Sequence, residues 1–234
     1  MHGLTMLAIG AHPDDVEFGC GSTLAKWAAA GCVVHHLVLT DGSKGTWDPD
    51  ADVRALVSTR EAEQRAAARA LGATGEVVFL HRVDGDLVAD RELCSEVALW
   101  IRRLRPDVVL GHDPWKRYRL HPDHRAAGFV TCDAVVAARD PHFFREHAVA
   151  HHRPQALLLW EADEPSHAET TGERAVAAKL AALEAHASQF ESTMKAVDPA
   201  QLEEFQARIR ARLAANGEAV GHTAAELFAL ISDL

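Results

Sequence analysis

Cysteine is scarce in this 234-residue chain, and Cys20, Cys32, Cys94 and Cys132 stand far apart with no C-x-x-C pair. That excludes a cysteine-rich zinc module and offers no disulfide framework. Basic charge is short as well. The 24 Lys and Arg face 34 Asp and Glu, a net charge of −10, which argues against non-specific attraction to nucleic acid or an anionic membrane. Basic residues gather only in small groups (Arg102, Arg103, Arg105; Lys116, Arg117, Arg119). No run approaches the roughly 18 apolar residues of a membrane helix. The opening MHGLTMLAIGAHPDD lacks the basic segment and the apolar length of a secretory signal. The expectation is a cytoplasmic protein with no membrane insertion and no nucleic-acid partner. Tyrosine occurs once against 15 histidines, so the spacing of the histidines is where information is to be sought.

What is present is an ordinary globular composition, 48% hydrophobic and 25% charged. A chain of this length buries about 70% of its unfolded surface, enough for a single domain over residues 1–234 with a C-terminal helical part from about 170. Apolar runs of strand length at 4–10, 33–39, 76–80, 107–111 and 156–160 alternate with helical patterns at 18–31, 53–71, 91–104 and 122–138. Pro122 suits a first helical position, where its missing N–H costs nothing. Further helices are expected near 172–187 and 199–215, and the apolar segment 225–231 fits a strand or a helix. This alternation predicts a Rossmann-like α/β three-layer sandwich with a mostly parallel sheet. Ligands in such folds sit beyond the carboxyl ends of the strands. The polar loops starting at His12, Asp41 and His112 follow three of those strands and converge on one sheet edge.

Two clusters on that edge carry the chemistry. In His12-Pro13-Asp14-Asp15 an imidazole and two carboxylates follow a buried strand, and such groups are costly to bury unless paired or bound to metal. His12 and Asp15, three apart in a turn, can face one cation; the plainer reading makes Asp14 or Asp15 a helix cap. His121-Pro122-Asp123-His124 opens another helix and can add a second imidazole. Two nitrogens and one oxygen form the set that catalytic zinc uses, with a fourth position left for water. Other divalent metals also accept these donors.

AHPDDVEFGCGST, LTDGSKGTWD, RPDVVLGHDPW and HPDHRAAG closely resemble the LmbE-like, or PIG-L, zinc-dependent N-deacetylases. These include enzymes of mycothiol and bacillithiol synthesis and the deacetylase of N-acetylglucosaminyl-phosphatidylinositol. The resemblance runs from residue 4 to about 190, where KLAALEAHASQF is similar to the family's K…H-x-S-Q segment. It implies one Zn2+ per chain on His12, Asp15 and His124, with Asp14 as general base. It also implies His121 as the imidazole facing the reacting carbonyl, protonated and oriented by Asp123, and Arg60 and Asp84 reaching substrate hydroxyls. Read without the family, Arg60 also fits a helix-surface ion pair with Glu61 or Glu63, and Asp84 a turn before Gly85. Ser22 stands where many relatives have glycine. Arg119, with Tyr118 beside it, stands where the mycothiol branch has an oxyanion-side tyrosine.

The function expected is hydrolysis of an N-acetyl amide on an amino-sugar-type small molecule, with a homo-oligomer possible. The alternatives are an amidase of a thiol-sugar conjugate and a non-catalytic zinc-binding α/β protein, although the latter would not need Asp14 and His121. A nucleotide-binding reading rests on Gly19-Cys20-Gly21, whose G-x-G-x-x-G match fails at Leu24. Trp47 and Trp115, in the loops 40–52 and 112–120, are expected to wall the substrate cleft.

Overall fold

The computed structural model describes residues 2–234. Strand β1 (Thr5–Gly10) leads into helix α1 (Asp15–Ala29), and the alternation continues through β2 (Val33–Thr40), α2 (Val53–Ala70), β3 (Val77–Arg82), α3 (Arg91–Leu104), β4 (Val108–His112), α4 (Pro122–Arg139) and β5 (Ala156–Trp160). Local chemistry sets the helix starts. Asp52 and Asp90 accept from Ala55 N (3.0 Å) and Leu93 N (2.8 Å), capping α2 and α3, and Pro122 begins α4.

A 3-10 turn (Arg145–His147) precedes β5, and after β5 come β6 (His167–Thr170), α5 (Glu173–Glu184), a 3-10 turn (Ala187–Gln189) running into a short π-helical turn (Phe190–Met194), α6 (Pro199–Glu218) and β7 (Ala225–Ile231). The C-terminal part is therefore not helical throughout. The segment 225–231 is a strand, inserted antiparallel between β5 and β6. The seven-stranded order is β3-β2-β1-β4-β5-β7-β6, with the pairings among β1 to β5 all parallel.

Alternate residues of each strand serve opposite faces. Leu7, Ile9, Leu37 and Val109 pack with Val97, Ile101, Val130 and Ala134 of α3 and α4. Met6, Ala8, Val34 and Leu110 pack with Leu24 and Trp27 of α1, Ala67 of α2 and Ala182 of α5. Three layers result. A third cluster, including Leu180, Leu183, Phe205 and Ile209, seats α6 on α5. The chain winds from β1 to β2 on one side and places β4 on the other, so the carboxyl ends of β1 and β4 flank a topological switch point. The His12 and His112 loops leave the sheet there.

Candidate active site

The turn after β1 is built around backbone groups. His12 N donates to Asp15 Oδ2 (2.7 Å), and Asp14 holds a left-handed backbone, φ +103° and ψ −26°, uncommon for any residue but glycine. Asp14 occupies the N-cap position of α1, yet its side chain makes no capping bond; the helix-cap reading of Asp14 is not what the structure adopts. Burial pushes its carboxyl up to about 6, against the opposing pull of Arg60 and with a further push from Asp15.

Four imidazoles and three carboxylates converge next to it. Ring centroids of His121 and His124 lie 4.5 Å apart and stacked, and those of His12 and His121 lie 4.6 Å apart. Asp15 bridges the expected ligands, with Oδ2 3.3 Å from His12 Nδ1 and Oδ1 3.2 Å from His124 Nε2. Potential ligand atoms of His12, His121 and His124 lie within 4.8 Å of one another, as do those of Asp15, His112 and His124 and those of His12, Asp84 and Asp123. The trio named from sequence thus spans the first two groups, with His124 common to both. Burial works against charge on His12, but Asp123, Asp15 and Asp84 outweigh it and hold the imidazole well above its ordinary value. Burial opposes ionisation of Asp15 too, yet His124 and His112 hold its carboxyl well below the usual range. Carboxylates this close, with an imidazole drawn to its cationic form among them, are a donor set that fits a cation.

His112 was visible in the sequence only as the start of a loop. Its Nδ1 accepts from Trp160 Nε1 (3.1 Å) and Arg119 Nη1 (3.0 Å). Both partners can only donate, so the proton sits on Nε2, which faces Asp15 Oδ2 at 3.2 Å. The Ala11 N–H also approaches Nε2, at a longer 3.4 Å, and the two bonds at Nδ1 decide the tautomer. Burial drives His112 down to about 4. His112 is therefore a neutral donor that aims the Asp15 carboxylate.

Several expected roles change. Asp123 Oδ2 meets His12 Nε2 at 3.0 Å and accepts from Gly85 N (2.6 Å), while Oδ1 accepts from Leu87 N (3.2 Å). No hydrogen bond joins it to His121 among the described residues, so Asp123 orients His12 instead. His121 is also not driven cationic: burial, His12 and His124 lower its pKa against the weaker pull of Asp123. Arg60 is no surface ion-pair residue. It is 3% exposed, and its Nη1 and Nη2 donate to Gly42 O and Pro13 O (both 2.7 Å), with Nη2 3.5 Å from Asp14 Oδ2. It ties the loop after β2 to the turn after β1. Gly42 makes room for it: φ is +65°, and a Cβ there would lie 2.8 Å from Arg60 Nη1. Asp84 is buried rather than a simple turn residue, with Oδ1 3.2 Å from His12 Nε2 and Oδ2 accepting from Lys44 N (3.0 Å).

These groups open into a cleft of about 590 Å³ whose walls include His12, Asp14, Asp15, Arg60, Asp84, His121 and His124. Trp47 is on its rim and exposed, as expected. Trp115 is not; it packs edge-on against Phe129 of α4, ring centroids 5.9 Å apart, outside the cleft. The wall on that side comes from Trp160 and Glu161. Tyr118 points to solvent, 87% exposed. Arg119, buried, pairs with His112 and with Glu161 Oε2 at 2.9 Å.

The sequence profile of PIG-L, GlcNAc-PI de-N-acetylase, matches residues 7–135, more than half of the chain. The chain belongs to the PIG-L family. It is similar to a diacetylchitobiose deacetylase of Thermococcus kodakarensis, 37% identical over 188 residues covering 79% of this chain and 70% of that protein. It is also similar to a 1D-myo-inositol 2-acetamido-2-deoxy-alpha-D-glucopyranoside deacetylase of Kineococcus radiotolerans, 31% identical over 57% of this chain. Of that relative's own length the chain spans only 45%. Among solved structures, the N,N'-diacetylchitobiose deacetylase of Pyrococcus horikoshii superimposes with a TM-score of 0.87 at 28% identity, covering 97% of this chain and 84% of the other. This PIG-L-family chain shares that three-layer fold over nearly all its length, and the AHPDD and HPDH motifs both lie inside the matched residues 7–135. No described helix is long and apolar enough to cross a membrane.

Proposed function

We propose that this chain is a zinc-dependent hydrolase that removes an N-acetyl group from an amino-sugar-type substrate, using one ion per chain. The observation that carries the reading is Asp14: a buried carboxyl raised to about 6 that is free of capping duty, faces an open cleft and adjoins a His/His/carboxylate donor set. A metal-binding scaffold has no use for such a residue. The family and the printed activities of its relatives supply the acyl-sugar chemistry.

His12, Asp15 and His124 are the residues that would hold the ion, with Asp123 and His112 fixing the orientation of His12 and Asp15. A divalent metal held there supplies Lewis-acid polarisation of the amide carbonyl and makes water more acidic. Asp14 takes the proton of the attacking water, since its raised pKa suits a base working near neutral pH. The same carboxyl then passes the proton to the departing amine. His121, at the cleft wall, offers a neutral N–H to the developing oxyanion, a donor of the kind worth about 2.7–4 kcal/mol. Arg60 holds the base turn against the loop after β2.

The test is release of primary amine by the zinc-loaded protein from N,N'-diacetylchitobiose, an N-acetylglucosaminyl inositol and an N-acylated thiol-sugar conjugate. Amine is expected from the acetylated sugars. Asp14→Asn should retain metal near one per chain while kcat falls by about 10²–10⁴, the range for a lost general base; His12→Ala and His124→Ala should lose the metal. Absence of amine from every acetylated sugar, or full kcat in Asp14→Asn, overturns the proposal.

A further inference from the structure

Gln64, Glu17 and His186 take no part in the chemistry above, yet all three are wholly buried directly beneath it. Buried polar groups are unfavourable unless paired, and these are paired in one direction only. The Asp14 N–H can only donate, and it meets Gln64 Oε1 at 2.8 Å. That fixes the amide: Gln64 Nε2 must be the donor to Glu17 Oε1 (2.8 Å) and to His36 Nδ1 (3.2 Å). The other oxygen of Glu17 lies 3.3 Å from His186 Nε2, which therefore carries a proton. The donors converge on Glu17 from both sides, from Asp14 through Gln64 and from His186.

The segment that bears His186 is clasped at two more points. Ser188 N and Oγ donate to Glu63 Oε1 (2.8 Å) and Oε2 (2.6 Å) on α2, and Gln189 Nε2 donates to Gly45 O (3.0 Å) in the loop that Arg60 holds. His186, Ser188 and Gln189 are the distinctive residues of KLAALEAHASQF, which the chemistry left without a task.

We infer that Gln64, Glu17 and His186 form a positioning network that holds the backbone of Asp14 in its left-handed conformation and so aims its carboxylate into the cleft. The inference rests on the reading of Asp14 as the base. Without the Gln64 acceptor the Asp14 N–H has no partner, and the turn can relax toward ordinary φ, carrying the carboxylate with it. None of the three side chains touches substrate; they act through Asp14.

The test uses the zinc-loaded full chain with N,N'-diacetylchitobiose, and amide hydrogen exchange at Asp14 as a readout independent of substrate. Gln64→Met keeps length and removes both polar ends. It should lower kcat at least tenfold with KM within twofold and metal near one per chain, and speed exchange of the Asp14 amide at least tenfold. Q64E alone sets two carboxylates against each other and should be as damaging. The double variant Q64E/E17Q should regain most of kcat: the carboxylate at position 64 still accepts from Asp14 N, and the amide at position 17 donates to it while accepting from His186. Should Gln64→Met fail to fold, His186→Gln, which keeps a donor, against His186→Leu, which does not, asks the same question; only the second should lose kcat. A lower melting temperature with unchanged kcat and unchanged Asp14 exchange overturns the inference, as does a double variant no better than Q64E. Full kcat in Asp14→Asn overturns the base assignment instead, and the exchange rate of the Asp14 amide still judges the network.

Discussion

Two sets of buried charges lie against α1, one beneath its middle and one at its start. Beneath the middle, α1 is broken at Cys20, φ −145°. There Glu226 of β7 accepts from Ser22 N (3.2 Å) and Thr23 N (2.8 Å), capping the second half of the helix. Lys179 of α5, fully buried, donates to Glu226 Oε1 (2.6 Å) and to Phe18 O (2.8 Å). One cation meets one anion, the spare Lys179 donor ends on a carbonyl, and the Glu226 carboxylate accepts from two backbone amides. At the start of the helix the count does not close. His12 alone stands within 3.3 Å of Asp15, Asp84 and Asp123, the rings of His121 and His124 lie edge-on and tilted against it, and His112 stacks on His124. The first set is complete within the protein and holds the fold; the second, three carboxylates around one imidazole, is a donor set that fits a cation. Crowded charge distinguishes a site from a strut, although the carboxylates of both are buried.

The comparison breaks most easily at the strut. Removing one partner of a buried pair leaves the other uncompensated, at a cost of about 3–5 kcal/mol. Lys179→Met should therefore lower the melting temperature by roughly 6–20 °C, at 2–4 °C per kcal/mol for a domain of this size, with or without zinc. Glu226→Gln added to it neutralises the orphan and should restore a large part. A drop of under 1 kcal/mol, or a loss of zinc stoichiometry, would erase the distinction between the two sets.

The site should behave in the opposite sense. A ligand bound only by the native state stabilises by about 2.7 kcal/mol at a hundredfold excess over its Kd. Zinc at that excess should raise the melting temperature of the wild type, and chelator should reverse the rise. In His124→Ala the rise should vanish, while Lys179→Met should show it in full from a lower baseline. A zinc response of equal size in His124→Ala would place the ion elsewhere.

What could be read in the sequence follows the same division between local and distant partners. The strands β1, β2, β4 and β5 announced themselves as short apolar runs, and AHPDD and HPDH as clusters within a few residues. β6 did not: HAET is four residues long, polar, and a strand only because β7 lies beside it. AELFALI suited either state until its antiparallel pairing with β5 decided it. Arg60 stood beside Glu61 and at helical spacing from Glu63, which suggested a solvent face, whereas its partners, Pro13, Gly42 and Asp14, are 18 to 47 positions away. Glu17, Gln64 and His186 are joined across separations of 47 and 169 residues, beyond the reach of any spacing rule. Asp123 was read as the partner of its neighbour His121, whereas its side chain meets His12, 111 residues distant.

The smallest expected effect concerns the two exposed tryptophans, which the sequence treated alike and the fold separates. Trp47 stands at the rim of the cleft with 78% of its surface open, presenting an indole face where a sugar ring bound at the metal-side groups would end. Covering about 50 Å² of that face at roughly 25 cal/mol per Å² gives about 1.2 kcal/mol, or roughly an eightfold change in KM. The contact is made equally in ground and transition states, so Trp47→Ala should raise KM by several-fold and leave kcat where it was. Trp115 is 62% open but turned onto Phe129, and Trp115→Ala should leave both constants within a factor of two. A KM effect at Trp115 equal to that at Trp47 would mean that the substrate extends past Glu161 onto the α4 side. An unchanged KM in Trp47→Ala would confine it to the polar floor between Asp84 and His121.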